Sequence, residues 1–314
     1  MKDRVLAIIR EGSKFLVTTH VDADGDAIGS CFAFCFALRG MGKRAVIYLQ
    51  EEVPYQYSFL PRPSPIVSKL PEEEFDAAFV LDCAKLSRVG DGYQALKGKA
   101  PIVNIDHHTE SEPFGLLNLI DESASSTAEM LYFLFEEMGV GITYEIALNL
   151  YTAILTETGS FRFENTSEGA FFVCRELVRR GVDPSFVARM VYESHPVERF
   201  HLLSLVLSTL SLYKDGKVSL AYLTQHMLRK VNARKEYSDG FVDYLKEIKG
   251  VEVAIFVREI GEGRHKVSMR SRGNIDVARI LSRFGGGGHT NAAGCVMEGD
   301  LEDVKERILE AVTI

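Results

Sequence analysis

The chain has 314 residues, of which 46% are hydrophobic and 25% charged, and a formal net charge of −8. That composition is ordinary for a globular protein and excludes disordered, collagen-like and low-complexity classes, while the length allows about two domains. An acidic chain is poorly suited to coating duplex DNA, where clustered Lys and Arg supply most of the affinity, although a local basic pocket can still hold a short nucleotide.

The amino-terminal MKDRVLAIIR carries charge throughout and lacks the apolar run of a signal peptide. No stretch approaches the roughly 18 apolar residues needed to span a bilayer, so a soluble, cytoplasmic protein with no membrane partner is expected. Phe15 to Thr19 reads as a buried strand, followed by a polar loop and an apolar helix from about Ala27 to Met41. Cys31 and Cys35 lie four apart on that helix, which puts both on one buried face. With Cys83, Cys174 and Cys295 they form an odd set without a C-x-x-C pair, so all five are read as core thiols.

Val46 to Leu49, Phe75 to Leu81 and Ile102 to Ile105 are further short apolar runs. Strands alternating with helices imply a mostly parallel sheet with helices on both faces, an α/β fold. From Ser125 to Tyr213 the pattern turns helical: a helix capped by Ser125, Ser126 or Thr127 and stopped by Gly139, then helices from Tyr144, from Ser167 and from Pro196 through Tyr213. Beyond Asp215-Gly216 the order is strand, helix, two strands, helix, a glycine run, and a final strand and helix. The division is residues 1–190 as one domain, 191–215 as a helical linker, and 216–314 as a smaller α/β domain. Between Arg258 and Arg283 there is an excess of four positive charges, beside GGGGH. An apolar face on the Ser125 or Pro196 helix suits core, linker packing or a dimer surface, and the reading leans to a homodimer.

Chemistry-bearing residues gather where strands end, which is where open α/β sheets place their sites. His20-Val21-Asp22-Ala23-Asp24-Gly25-Asp26 puts three carboxylates and an imidazole within seven residues, an arrangement that favours a neutralising cation because close carboxylates raise one another's pKa. An EF-hand does not fit: with Asp22 first, positions 6 and 12 are Ala27 and Ala33. Hard oxygens with an imidazole suit Mn²⁺, Fe²⁺, Co²⁺ or Zn²⁺ better than Ca²⁺. The same string also reads as a solvated turn with Asp26 capping the next helix. Asp82 ends a second strand and Asp106-His107-His108 a third; on extended backbone the two histidines face opposite sides. Thr156-Glu157-Thr158-Gly159 closes the Tyr144 helix, and together these clusters outline a dinuclear metal centre.

The H-x-x-x-D-x-D of His20, Asp24 and Asp26, then Asp82, then Asp106-His107-His108, resembles the DHH phosphoesterase superfamily. MRSRGNIDVARILSRFGGGGHTNAAG, Met269 to Gly294, is similar to its DHH-associated substrate domain. With no further module, the chain resembles the stand-alone bacterial nano-RNase and pAp-phosphatase group. The resemblance implies a catalytic domain followed by a substrate domain, and a phosphoesterase that uses a water activated by two divalent ions, Mn²⁺ foremost. It assigns His20 and Asp24 to one ion, Asp26 and His107 to the other, and Asp82 to both. His108 would face the substrate phosphate, Asp106 would orient its neighbours, and Arg270, Ser271, Asn274, Gly287 and His289 would grip the distal phosphate or nucleoside. Where the family has Asp in T-D-T-G, this chain has Glu157, a carboxylate one methylene longer that is expected to remain a ligand. The implied substrates are very short single-stranded RNA and 3′-phosphoadenosine 5′-phosphate. The alternatives are a cyclic or linear dinucleotide phosphodiesterase, and a nucleotide-binding regulator with weakened catalysis.

Overall fold

The computed structural model describes residues 1–313. The chain folds as two compact units, Met1–Ser194 and a second that begins at His195.

The first unit opens with α1 (Lys2–Glu11), and its sheet is built from β1 (Lys14–Thr18), β2 (Arg44–Tyr48), β3 (Ile66–Val67), β4 (Ala77–Leu81), β5 (Ile102–Asp106) and β6 (Leu117–Ile120). Their spatial order is β3-β2-β1-β4-β5-β6 and every pairing is parallel. Strand order therefore reverses between β1 and β4, and such a switch point opens a crevice outside the carboxyl ends of the strands. The central strands are buried on both faces: Phe15, Val17, Phe79, Leu81, Val103 and Ile105 enter one core, and Leu16, Val46, Tyr48, Ala78, Val80 and Ile102 the other.

The first core is covered by α1, α2 (Gly25–Gly40), α4 (Thr127–Met138), α5 (Tyr144–Glu157), α6 (Glu168–Arg179) and α7 (Pro184–Tyr192). The second lies under short helical turns, Leu86–Val89 and α3 (Tyr93–Leu96). Cys31 and Cys35 are buried as expected, but α2 is buried almost all round rather than on one face, because it sits between the sheet and α4 and α5. All five cysteines are buried free thiols. Two strands escaped the sequence reading. β3 is only two residues long and β6 (LNLI) is half-buried at the sheet edge, so neither shows the continuous apolar run of its neighbours.

The helix read from Pro196 to Tyr213 is shorter than expected. It runs as α8 (Val197–Leu207), and its tail becomes the edge strand β7 (Ser211–Tyr213), which pairs antiparallel with β8 (Val218–Leu223). After β8 come α9 (Gln225–Lys230), α10 (Phe241–Lys246), β9 (Val253–Gly261), β10 (Arg264–Ser271), α11 (Val277–Ser282), β11 (Gly287–His289), β12 (Ala292–Glu298) and α12 (Leu301–Ala311). The second sheet has the order β11-β12-β10-β9-β8-β7, with β8 and β9 parallel and the other pairs antiparallel. Leu202 and Val206 of α8 are buried with Phe241, Leu245 and Phe256 of this unit. Among the described residues no helix is long and apolar enough to cross a membrane.

Two glycines let α2 lie directly on α5. A Cβ at Gly25 would stand 2.1 Å from Thr156 Oγ1, and one at Gly29 would stand 2.5 Å from the Asn149 carbonyl oxygen. The amino end of α2 is thereby brought against the carboxyl end of α5, where Glu157 sits. Gly29→Ala must push backbone apart, since the obstructing atom is a carbonyl and not a flexible side-chain tip; a loss of about 1–3 kcal/mol is expected, as for overpacked cores. A thermal melt that leaves the midpoint unchanged would show that the two helices are not in this contact.

Candidate metal centre

Three strand ends deliver the site. His20 lies just beyond β1, Asp82 just beyond β4, and Asp106, His107 and His108 at and beyond the end of β5. The loop after β1 leads into α2, whose N-cap is Asp24, its side chain accepting from Ala27 N at 3.0 Å. Asp26, in the first turn, is fully buried, so the cap read for Asp26 belongs to Asp24 and Asp26 does something else. Asp26 Oδ2 accepts from the Thr127 amide at 2.7 Å, and its Oδ1 accepts from the Ala128 amide and the Ser30 hydroxyl, both at 3.0 Å. A carboxylate from α2 thus satisfies the first amides of α4, where the helix dipole favours negative charge.

Asp82 stands at the middle. Its Oδ2 is 3.8 Å from His20 Nε2, and its Oδ1 is 3.6 Å from His107 Nε2 and 3.7 Å from His108 Nδ1. Its backbone has φ of +54°, an uncommon left-handed setting for a non-glycine residue that aims the carboxylate out of the strand. His107 Nε2 is also 3.7 Å from Asp26 Oδ2 and 3.8 Å from Glu157 Oε1. Both histidines therefore approach Asp82, against the expectation that they face opposite sides. The pair lies just beyond the end of β5, and the rings are 5.0 Å apart at 57°.

Within the first unit, ligand-bearing atoms lie mutually close in three groups: His20 with Asp24 and Asp82, Asp26 with Asp82 and His107, and Asp82 with Asp106 and His108. Asp82 belongs to each. The donor set fits divalent cations, and second contacts prepare it. His20 Nδ1 is 2.8 Å from the Val21 carbonyl oxygen and His107 Nδ1 is 3.3 Å from that of Ala124. A proton held on Nδ1 by such a contact leaves the Nε2 lone pair for a metal. Electrostatics agree. Burial first, then the nearby carboxylates of Asp82 and Asp24, hold the Asp26 carboxyl well above its ordinary pKa. Burial also disfavours charge on Asp82, but the surrounding histidines outweigh it and lower that pKa. Burial keeps His107 below the usual imidazole range, in the neutral form a ligand needs. His108 is raised despite its burial, because it bonds Asp106 Oδ1 at 2.7 Å and faces Asp82.

Sequence reasoning missed Thr127 and Arg88. Thr127 Oγ1 donates to Asp82 Oδ1 at 3.1 Å, and Arg88 Nη2 lies 3.5 Å from His20 Nδ1. Neither carries a local signal, since their partners are 45 and 68 residues away in the chain.

In the second unit, Arg270 and Ser271 end β10, Asn274 is exposed in the following loop, and Gly287 and His289 bound β11. Arg270 and His289 pair with the same residue of β12, Ala292, from its two sides, so these positions share one end of the sheet. The glycine run is an edge strand here rather than a free loop. Arg270 Nε is 3.4 Å from Asp243 Oδ1, while Ser271 Oγ donates to the Ile275 carbonyl at 2.5 Å and accepts from Asn291.

Fold and sequence together place the chain among hydrolases acting on phosphoester bonds. Residues 14–154 match the DHH family, N-terminal domain, and residues 216–313 the DHHA1 domain. The chain belongs to the DHH family. It is 38% identical over 300 residues to the bifunctional oligoribonuclease and PAP phosphatase NrnA of Thermus thermophilus, spanning 94% of this chain and 88% of that one. Identity to the NrnA of Bacillus subtilis is 27%, over 94% of this chain and 92% of the other. A crystal structure of an exopolyphosphatase-related protein from Bacteroides fragilis superimposes with a TM-score of 0.89 at 29% identity, covering 99% of this chain and 94% of that one.

Burial and the neighbouring carboxylates raise Asp26 in the cation-free cluster, so a divalent ion binding there is expected to compete with a proton and to bind more tightly as pH rises. Calorimetric titration with Mn²⁺ in two buffers of different ionisation enthalpy should show proton release that shrinks in Asp26→Asn. Equal heats in both buffers would mean that Asp26 is already ionised without metal.

Proposed function

We propose that this protein hydrolyses very short single-stranded RNA and 3′-phosphoadenosine 5′-phosphate. The observation that carries the reading is the sharing of Asp82 among neighbouring ligand groups at the sheet's switch point, the arrangement a two-ion phosphoesterase requires. The names of the two NrnA relatives supply the substrate class.

His20 and Asp24 would hold one divalent ion, Mn²⁺ by preference, and Asp26 and His107 the other, with Asp82 available to both. Glu157 Oε1 lies 3.8 Å from His107 Nε2, and there it would add its carboxylate to the second position, in favour of an enzyme over a mere nucleotide-binding regulator. Cations held there supply Lewis acidity toward a phosphate ester and acidify the water that attacks phosphorus. Asp106 fixes the His108 ring through Nδ1, so that its Nε2 can carry a proton toward the leaving oxygen. Thr127 steadies Asp82 through its hydroxyl. In the second unit Arg270, Ser271, Asn274, Gly287 and His289 hold the distal phosphate or nucleoside, glycine backbone allowing N–H groups close to phosphate oxygens.

The first test is hydrolysis of a labelled RNA dinucleotide with Mn²⁺, wild type against His107→Ala. Cleavage by the wild type, lost at least 100-fold in the variant, is expected; a wild type that cleaves neither the dinucleotide nor pAp would overturn the reading. A pH profile separates the roles. Activity should fall at acid pH as Asp26 and His107 take up protons, and at alkaline pH as His108 loses its own. Asp106→Asn removes the partner that raises His108, so its alkaline limb should move to lower pH; an unmoved limb would remove His108 from proton transfer.

A further inference from the structure

The loop leaving α5 carries an aromatic pair that takes no part in holding cations. Gly159, Ser160 and Phe161 follow one another with φ of +55°, +60° and +61°. Left-handed backbone at two consecutive non-glycine residues is costly and persists only where the surroundings enforce it. Here Ser160 N donates to the Leu155 carbonyl at 2.8 Å, Phe161 N to Thr158 Oγ1 at 3.2 Å, and Asn165 Nδ2 to the carbonyls of Glu157 and Ser125 at 3.1 and 3.0 Å. So held, the Phe161 ring stacks on Phe171, with centroids 5.1 Å apart and planes at 23°. Phe171, the fourth residue of α6, is 56% exposed.

Hydrogen bonds connect the start of α6 to the metal centre. The N-cap of α6, Ser167, donates to Glu129 Oε2 at 2.8 Å, and that same oxygen accepts from the amide of Ser125 at 3.0 Å. Two residues on, Thr127 touches Asp82. The amino ends of α4 and α6 and the carboxyl end of α5 thus meet around the ligand cluster, with Phe171 one turn into α6. Arg175, four residues along and therefore on the same helix face, is 63% exposed in its side chain, with Nε 3.5 Å from Glu176 Oε1. An exposed ring with a guanidinium beside it is what unpaired nucleotides bind, the base on the ring and the phosphate on the cation.

We propose that Phe171, backed by Phe161, is a stacking platform for a nucleobase of the short single-stranded substrate. This rests on the nucleotide reading of the metal centre and adds to it the element that senses the base. It accounts for an exposed aromatic ring held in place by a strained loop at the edge of a polar site.

The chain has no tryptophan, so Phe171→Trp installs a single reporter. Its emission should be quenched saturably by a methylphosphonate-linked RNA dinucleotide, which is not hydrolysed, and not by the abasic counterpart. Phe171→Ala should raise KM for an RNA dinucleotide about ten- to hundredfold while kcat stays within about twofold, the range of a lost base–aromatic stack. Phe171→Tyr should restore KM, and Phe200→Ala, an equally exposed ring on α8, should change neither constant. Quenching that the abasic probe matches, or an unchanged KM in Phe171→Ala, would overturn the proposal. Sedimentation of the variants as a smaller species with KM intact would do the same, by showing that a second copy covers the ring. If the wild type cleaves no dinucleotide, the hydrolytic reading fails, and the fluorescence titration still decides whether a base stacks here.

Discussion

Three buried carboxylates, Asp26, Asp82 and Asp106, converge with the imidazoles of His20, His107 and His108, and the cost of keeping them there without a cation shapes the first unit. Asp26 and Asp82 are almost wholly out of water, close enough for each to work against the other's ionisation. The protein offsets part of that cost with fixed dipoles: the amides at the start of α4 face Asp26, and the Thr127 hydroxyl faces Asp82. It does not remove the cost, and the remaining excess of negative charge is what a divalent ion would find on arrival. A preformed site of this kind binds with little rearrangement, since its ligands are already held by a sheet, a helix terminus and carbonyl contacts.

The architecture follows from that concentration of charge. Only at a switch point of a parallel sheet do consecutive loops from β1, β4 and β5 open onto one crevice, so residues far apart in sequence can share an ion. The helices on the larger face then act as supports. α2 brings Asp24 and Asp26, α5 brings Glu157, and their approach depends on the absence of a side chain at Gly25 and Gly29. Glu157, the last residue of α5, brings Oε1 to 3.8 Å from His107 Nε2.

Much of this was legible in the sequence, and the reasons are specific. Buried central strands such as Ala77–Leu81 advertise themselves as apolar runs, and the acidic or histidine residues that stop them mark the site. Edge elements do not. Ile66–Val67 and Leu117–Ile120 are short or half-buried, and Ser211–Tyr213 continues an apolar pattern from α8 that reads equally well as helix until its pairing with β8 is known. The approach of both His107 and His108 to Asp82 carries no signal in the sequence, because local backbone after a strand end is a tertiary matter. Thr127 was named as a cap for α4 and turned out to bond Asp82, a contact that no spacing rule contains.

The bonds from Asp26 to the amides of Thr127 and Ala128 tie two properties that are usually separate. The charge that terminates α4 is also a charge available to a cation, so the helix dipole and the metal draw on the same pair of oxygens. Lengthening, fraying or tilting α4 would alter how firmly Asp26 holds its proton or its ion, although no metal-binding atom belongs to that helix. A cation bound by Asp26 would therefore be held more or less firmly according to how α4 is set, without any change of ligand.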